Sequence, residues 1–252
     1  MSGEIFYGKN ADKQALYPKL LFCAGVVLKQ VDRTLETLKQ QASSEQKTLR
    51  WINTVEHYRH LLCQVIHQTQ QRVYADAPIP SSEKIVSIFE PHTDIIVKSA
   101  EDVHYGHKIN LATDSQGIII HLDILQNNPC DTSLYLPVLE SHQRLFGELP
   151  HTTVADGGYA SAENVQQARG EGVARAAFHK RKGLGYHDMG VKKKTLRKLR
   201  AFRAGIEGNI SELKRAFGLS KANWKNQEGF DAFVCSGVLA YNLMRMCRLS
   251  TT

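Results

Sequence analysis

The sequence predicts an α/β fold, a mixed sheet flanked by helices and preceded by an antiparallel helical hairpin. Three observations predict it. Residues 13–74 are rich in Leu, Gln, Lys and Glu, hold no glycine but Gly25, and repeat their apolar residues at helical spacing. Short β-type runs bounded by turn residues follow. Helix and strand patterns then alternate into two closing helices, an order that layers helices on a mixed sheet.

The hairpin is read from its apolar stripes. Leu21, Val26, Leu28, Val31, Leu35 and Leu38 lie on one broad face, and Leu49, Ile52, Val55, Leu61, Leu62, Val65 and Ile66 on another. Ser43 and Ser44 mark the bend, and so short a connection makes the helices antiparallel. Residues 75–82 read ADAPIPSS, a linker that neither a helix nor a central strand accommodates. Two domains are therefore expected, residues 1–78 and residues 79–252.

In the second, strands are expected at residues 85–89, 108–112, 117–125, 152–155 and 174–178. Thr113, Asp114, Ser115 and Gln116 supply turn chemistry that joins the second and third as an antiparallel hairpin. A helix is expected over residues 131–146 with Asp131 or Thr132 as its cap, and another near residues 162–169. Two more, about residues 194–217 and 230–249, close the chain.

Charge narrows the partner. The chain carries a formal +7, and residues 175–222 hold fourteen Lys or Arg against three Asp or Glu. Such a surface draws phosphate backbones by attraction and counterion release. Five cysteines without a CxxC pair argue against a zinc site or a disulfide framework, and a reducing cytoplasm fits them. Cys23, Cys63 and Cys235 sit in apolar runs and are expected to be buried. Apolar stretches are too short to span a bilayer, and nothing like a secretory signal opens the chain.

Two acids stand out. Asp156 ends a strand and is followed by Gly157, Gly158 and Tyr159, which makes it either a turn aspartate or an acid at the position where open α/β sheets place their chemistry. Arg203, Glu207 and Lys214 are spaced by four and seven residues, so at about 100° per residue all three share one helix face. Gly205 and Gly208 beside Glu207 each cost about 1 kcal/mol in a helix interior, which suggests that something close to the backbone wants the space.

The segment 153–159, TVADGGY, resembles the second-aspartate motif of DDE transposases of bacterial insertion sequences. Residues 202–207, FRAGIE, running on to Lys214, resemble their Arg-x3-Glu-x6-Lys signature. Residues 89–94, 106–108 and 214–219 are similar to the same group, and the resemblance covers roughly residues 84–249. It implies an RNase H-like fold, two divalent ions (magnesium, with manganese as a substitute) held by Asp, Asp and Glu, and phosphoryl transfer on DNA. Asp156 and Glu207 would be ligands. Arg203 and Lys214 would orient DNA phosphates or the glutamate, and His179, Lys180, Arg181 and Lys182 would add backbone contacts. The resemblance further implies insertion-sequence ends as substrate, a homo-oligomer or full-length transposase as partner, and a nucleoid-associated place in the bacterial cytoplasm.

Two departures accompany it. Arg200 stands where the signature usually has tyrosine, with an aromatic nearby at Phe202. The first aspartate, on a strand ahead of the helical insertion, has no counterpart in residues 1–17, so the chain is expected to lack that strand. Asp94 and Asp114 read as turn residues and Asp123 as a member of an alternating strand, which makes them poor stand-ins. Either the slot left by the strand is filled by another run, such as residues 85–89, or the isolated chain is marginally stable and prone to aggregate. A truncated product that binds DNA or full-length transposase is the alternative reading.

Overall fold

The computed structural model describes residues 10–41, 46–97, 102–180 and 182–251. The bend at Ser43 and Ser44, and Arg181 among the expected DNA contacts, lie outside the described residues. The chain divides into two compact units, Met1–Tyr105 and Gly106–Thr252.

The first unit is built on helices α1 (Asn10–Gln41) and α2 (Gln46–Tyr74). Leu35 of α1 and Ile52 and Leu61 of α2 are buried, as a hairpin packing along its stripes requires. Val26 and Leu49 are exceptions, since both are exposed, Val26 together with Phe22 and Val27. Ion pairs between Arg59 and Asp32 and between Lys39 and Glu56 (2.5 Å) cross the hairpin. Their order along the two helices confirms that they run antiparallel.

Residues 85–89 do not form the expected strand. The carboxamide of Gln68 takes the place of a strand partner: its Nε2 donates to the Ile85 carbonyl (2.8 Å) and its Oε1 accepts from the Ile85 amide (3.0 Å). A side chain of α2 thus satisfies the backbone groups that a ladder would have used. The unit ends in two short strands that sequence patterning missed, β1 (Asp94–Val97) and β2 (Val103–Gly106), hydrogen-bonded to each other. Asp94 therefore opens a strand and is not a turn residue.

The second unit is the mixed α/β layer. Strands β3 (Ile109–Thr113) and β4 (Ile119–Ile124) form the expected antiparallel hairpin, with Leu111 opposite Leu122 and a register irregularity after Ala112. Asp114 closes the turn by accepting from the amides of Gln116 (2.9 Å) and Ile118 (2.8 Å). A 3₁₀ turn (Asp131–Leu134) leads into α3 (Tyr135–Phe146), which ends at Gly147 in the left-handed conformation, φ 78°. Neither Asp131 nor Thr132 caps this segment, because the Asp131 carboxylate is held instead by Lys108.

Strand β5 (Thr152–Ala155) pairs in parallel with β6 (Arg175–Phe178) through α4 (Ala162–Gly170), whose cap Ser161 accepts from the Asn164 amide at 3.0 Å. Helices α5 (Lys193–Ala216) and α6 (Gln227–Ser250) complete the unit. The β3–β4 and β5–β6 pairs are separate two-stranded sheets.

Two apolar clusters hold this unit together. One joins Tyr135 and Leu139 of α3, Val165 and Ala168 of α4, Ala176, Ala177 and Phe178 of β6, and Leu196 of α5. The other joins Ile119 of β4, Leu213 of α5, and Val238 and Tyr241 of α6. Helix α5 is thus pinned at both ends, Leu196 in one core and Leu213 in the other, with its middle turns between them. Cys23 and Cys235 are exposed and Cys63 half-buried, contrary to the expected burial. Cys23 and Cys235 lie off the faces of their helices that pack.

Candidate active site

Strand β5 delivers Asp156 at its carboxyl end, where the chain turns into a single 3₁₀ turn, Gly157–Tyr159. Asp156 caps that turn, its Oδ1 accepting from the Gly157 amide at 2.7 Å. This bond fixes the carboxylate and leaves Oδ2 to look outward. There it accepts from Arg203 Nη2 at 3.2 Å. The other terminal nitrogen, Nη1, donates to Glu207 Oε1 one turn along α5. One guanidinium therefore holds both acids, and its planar fork suits that task.

The clamp is asymmetric in exposure. The Arg203 side chain is 17% exposed, whereas those of Asp156 and Glu207 are 49% and 68% exposed. The cation is set into the protein and the two anions face solvent, so an incoming cation or phosphate meets the carboxylates first. Pairs this exposed add little to stability, about 0–1 kcal/mol. The arrangement organises charge more than it holds the fold.

Both glycines after Asp156 are demanded by close approach. A Cβ at Gly157 would come within 2.7 Å of Lys180 Cβ, and one at Gly158 within 2.1 Å of Asp131 Oδ2. Lys180 thus lies directly against the Asp156 turn. Lys182 follows with φ 46° and is exposed, and Lys214 is exposed two helical turns beyond Glu207. No ion pair engages Lys180, Lys182 or Lys214 among the described residues.

Lys108 and Tyr159 join a polar network around the Asp156 turn. Lys108 Nζ binds Asp131 and donates to the Pro129 carbonyl (3.2 Å). The Tyr159 hydroxyl donates to Asn110 Oδ1 (2.8 Å), and Asn164 Nδ2 donates to the carbonyls of Tyr159 (2.9 Å) and Thr132 (2.8 Å). Burial pushes the Tyr159 phenol up to about 12, the charges of Asp131 and Asp156 adding to it and that of Arg203 opposing. Asn110 and Asn164 are buried, and the two carbonyl bonds of Asn164 tie the backbone at Thr132 to that at Tyr159. No sequence spacing advertises the Lys108–Asp131 and Tyr159–Asn110 contacts, whose partners lie 23 and 49 residues apart.

The donor chemistry fits a hard divalent cation, which takes carboxylate oxygens. The number falls short of a two-ion centre: among the described residues no group of three or more His, Cys, Asp or Glu could hold a metal ion. Of the other aspartates considered, Asp114 is committed to its turn and Asp123 to His121 Nε2 at 2.7 Å. Asp94 belongs to the first unit. No helix among the described residues is long and apolar enough to cross a membrane.

Among known proteins, the model of the family described as Transposase DDE domain matches residues 91–243, more than half of the chain. No curated protein matches, and no solved structure does.

Proposed function

The chain belongs to the transposase DDE domain family and so to the machinery of DNA transposition, and we propose that it serves there in metal-dependent cleavage and joining of strands at the ends of a bacterial insertion sequence. The observation that carries this reading is the clamp of Asp156 and Glu207 on Arg203 at the end of a strand. Asp156 and Glu207 would ligate magnesium, or manganese in its place, together with a third carboxylate. That carboxylate would come from beyond the described residues. When bound, the ions would supply charge stabilisation for an in-line displacement at phosphorus.

The chain's own residues do the rest. Arg203 keeps the two acids oriented in the absence of a cation. Lys180, Lys182 and Lys214, with Arg181, meet DNA phosphates and set the backbone beside the carboxylates. The partner is a homo-oligomer or a full-length transposase, and the place is the nucleoid in the bacterial cytoplasm.

Binding of duplex DNA tests this reading. The affinity is expected to fall by orders of magnitude between about 50 and 200 mM salt if six or more phosphates are contacted. K180Q, K182Q and K214Q should each lower the slope of log K against log salt by about 1. Affinity independent of salt, or no binding at low salt, would remove DNA as the partner.

A further inference from the structure

We propose that the loop joining α5 and α6 is a stacking site for an unpaired DNA base, with Trp224 as its platform; this rests on the reading of the chain as a DNA transposase. Trp224 is 61% exposed, although the loop that carries it is tied down on both sides. Before it, the Leu219 amide donates to the Leu213 carbonyl (3.2 Å) and the Leu219 side chain packs into the core formed by Leu213, Val238 and Tyr241. After it, Asn226 takes φ 61° and caps α6, its Oδ1 accepting from the Gly229 amide at 2.8 Å. One edge of the indole lies over Gly229: a Cβ there would sit 3.8 Å from Trp224 Cε3.

The surroundings choose the occupant. Lys214, Arg215, Lys221 and Lys225 are all exposed, and no Asp or Glu occurs between Leu213 and Gln227. The other loop neighbours of Trp224 are Ser220, Ala222, Asn223 and Asn226, none of them a large apolar residue. A protein-binding face needs a contiguous apolar patch, whereas a single aromatic in a rim of cations is the chemistry that grips a nucleotide: the base stacks and the phosphates are neutralised. Within a duplex the base faces are already stacked, so the site selects a frayed, nicked or extruded base. It lies beyond the carboxyl end of α5, whose last residue, Ala216, is about 14 Å along the axis from Glu207 at 1.5 Å per residue.

The chain has two tryptophans, so Trp51→Phe leaves Trp224 as the sole indole reporter. In that background, oligo-dT and a duplex with one unpaired terminal base should quench the emission, and a blunt duplex should not. W224A should weaken binding of oligo-dT and of the frayed duplex about tenfold or more with blunt-duplex affinity unchanged, and W224F should keep most of it. Far-UV circular dichroism of both variants should match the parent. Unquenched emission with oligo-dT, or a W224A variant that binds it as the parent does, while duplex binding persists, overturns the stacking site alone. Loss of all DNA binding by the parent overturns the transposase reading with it. An emission shift on raising protein concentration without DNA would give the indole to a second copy and sink the proposal.

Discussion

Arg203 organises the site at the scale of single residues, because two carboxylates close to one another repel and its guanidinium gives each a hydrogen-bonded counter-charge. A divalent ion arriving at this pair competes with that guanidinium. Replacing Arg203 by methionine should therefore tighten manganese binding about tenfold, the size of a charge-assisted hydrogen bond lost to the competitor, while weakening DNA binding. Calorimetric titration of manganese checks it, and an unchanged affinity would mean that the clamp does not hold in solution.

Burial of phenols gives a second prediction at this scale. Tyr135 and Tyr159 are both pushed up to about 12 from the ordinary 10, by burial first in each case. The unfolded chain releases these protons near 10 while the folded chain keeps them. Their contribution to stability is thus complete below about pH 10 and is lost as pH rises through 12. Ultraviolet titration should show these phenols ionising after the exposed tyrosines and together with unfolding. Y135F and Y159F should each remove part of the late phase.

Among the elements, α5 carries the decisive glycines. Those beside Glu207 had suggested that something near the backbone wants the space, yet nothing lies within 4 Å of a Cβ built at Gly205 or Gly208. The protein itself does not need them small. Gly205→Ala and Gly208→Ala should each stabilise by about 0.5–1 kcal/mol in thermal melts, and any loss of DNA binding would then report what approaches that face. Gly158→Ala should do the reverse and destabilise by about 1–3 kcal/mol, because its Cβ meets Asp131, whose carboxylate Lys108 holds in place. Asp131→Ala should recover part of that loss, and additive effects would contradict the contact.

What the sequence disclosed divides along the same line. Asp156 and the Arg203–Glu207 pair were legible because a strand end and a four-residue helical spacing are local facts. The β3–β4 hairpin was legible because Asp114 bonds the amides of its own turn. The strand expected at residues 85–89 failed because its hydrogen bonds go to Gln68, seventeen residues away and on a helix. The network of Lys108, Asn110, Asp131 and Tyr159 was hidden for the same reason. Such pairings exist only once the fold has brought distant residues together, and no periodicity announces them.

For the whole molecule, the match over residues 91–243 fixes the family, and the separate β3–β4 and β5–β6 sheets bear on how a complete centre would be built. An RNase H-like sheet has a central strand carrying an aspartate, and residues 85–89 do not supply it. We propose that a strand from elsewhere does, and that strand transfer waits on it. The most direct measurement is magnesium-dependent cleavage of a labelled insertion-sequence end by the chain extended upstream with an aspartate-bearing strand, beside the unextended chain and the D156N and E207Q variants of the extended one. The account predicts cleavage by the extended chain, none by the unextended chain, and a fall of about a hundredfold or more in each variant. Cleavage by D156N or E207Q at the parent rate would contradict it.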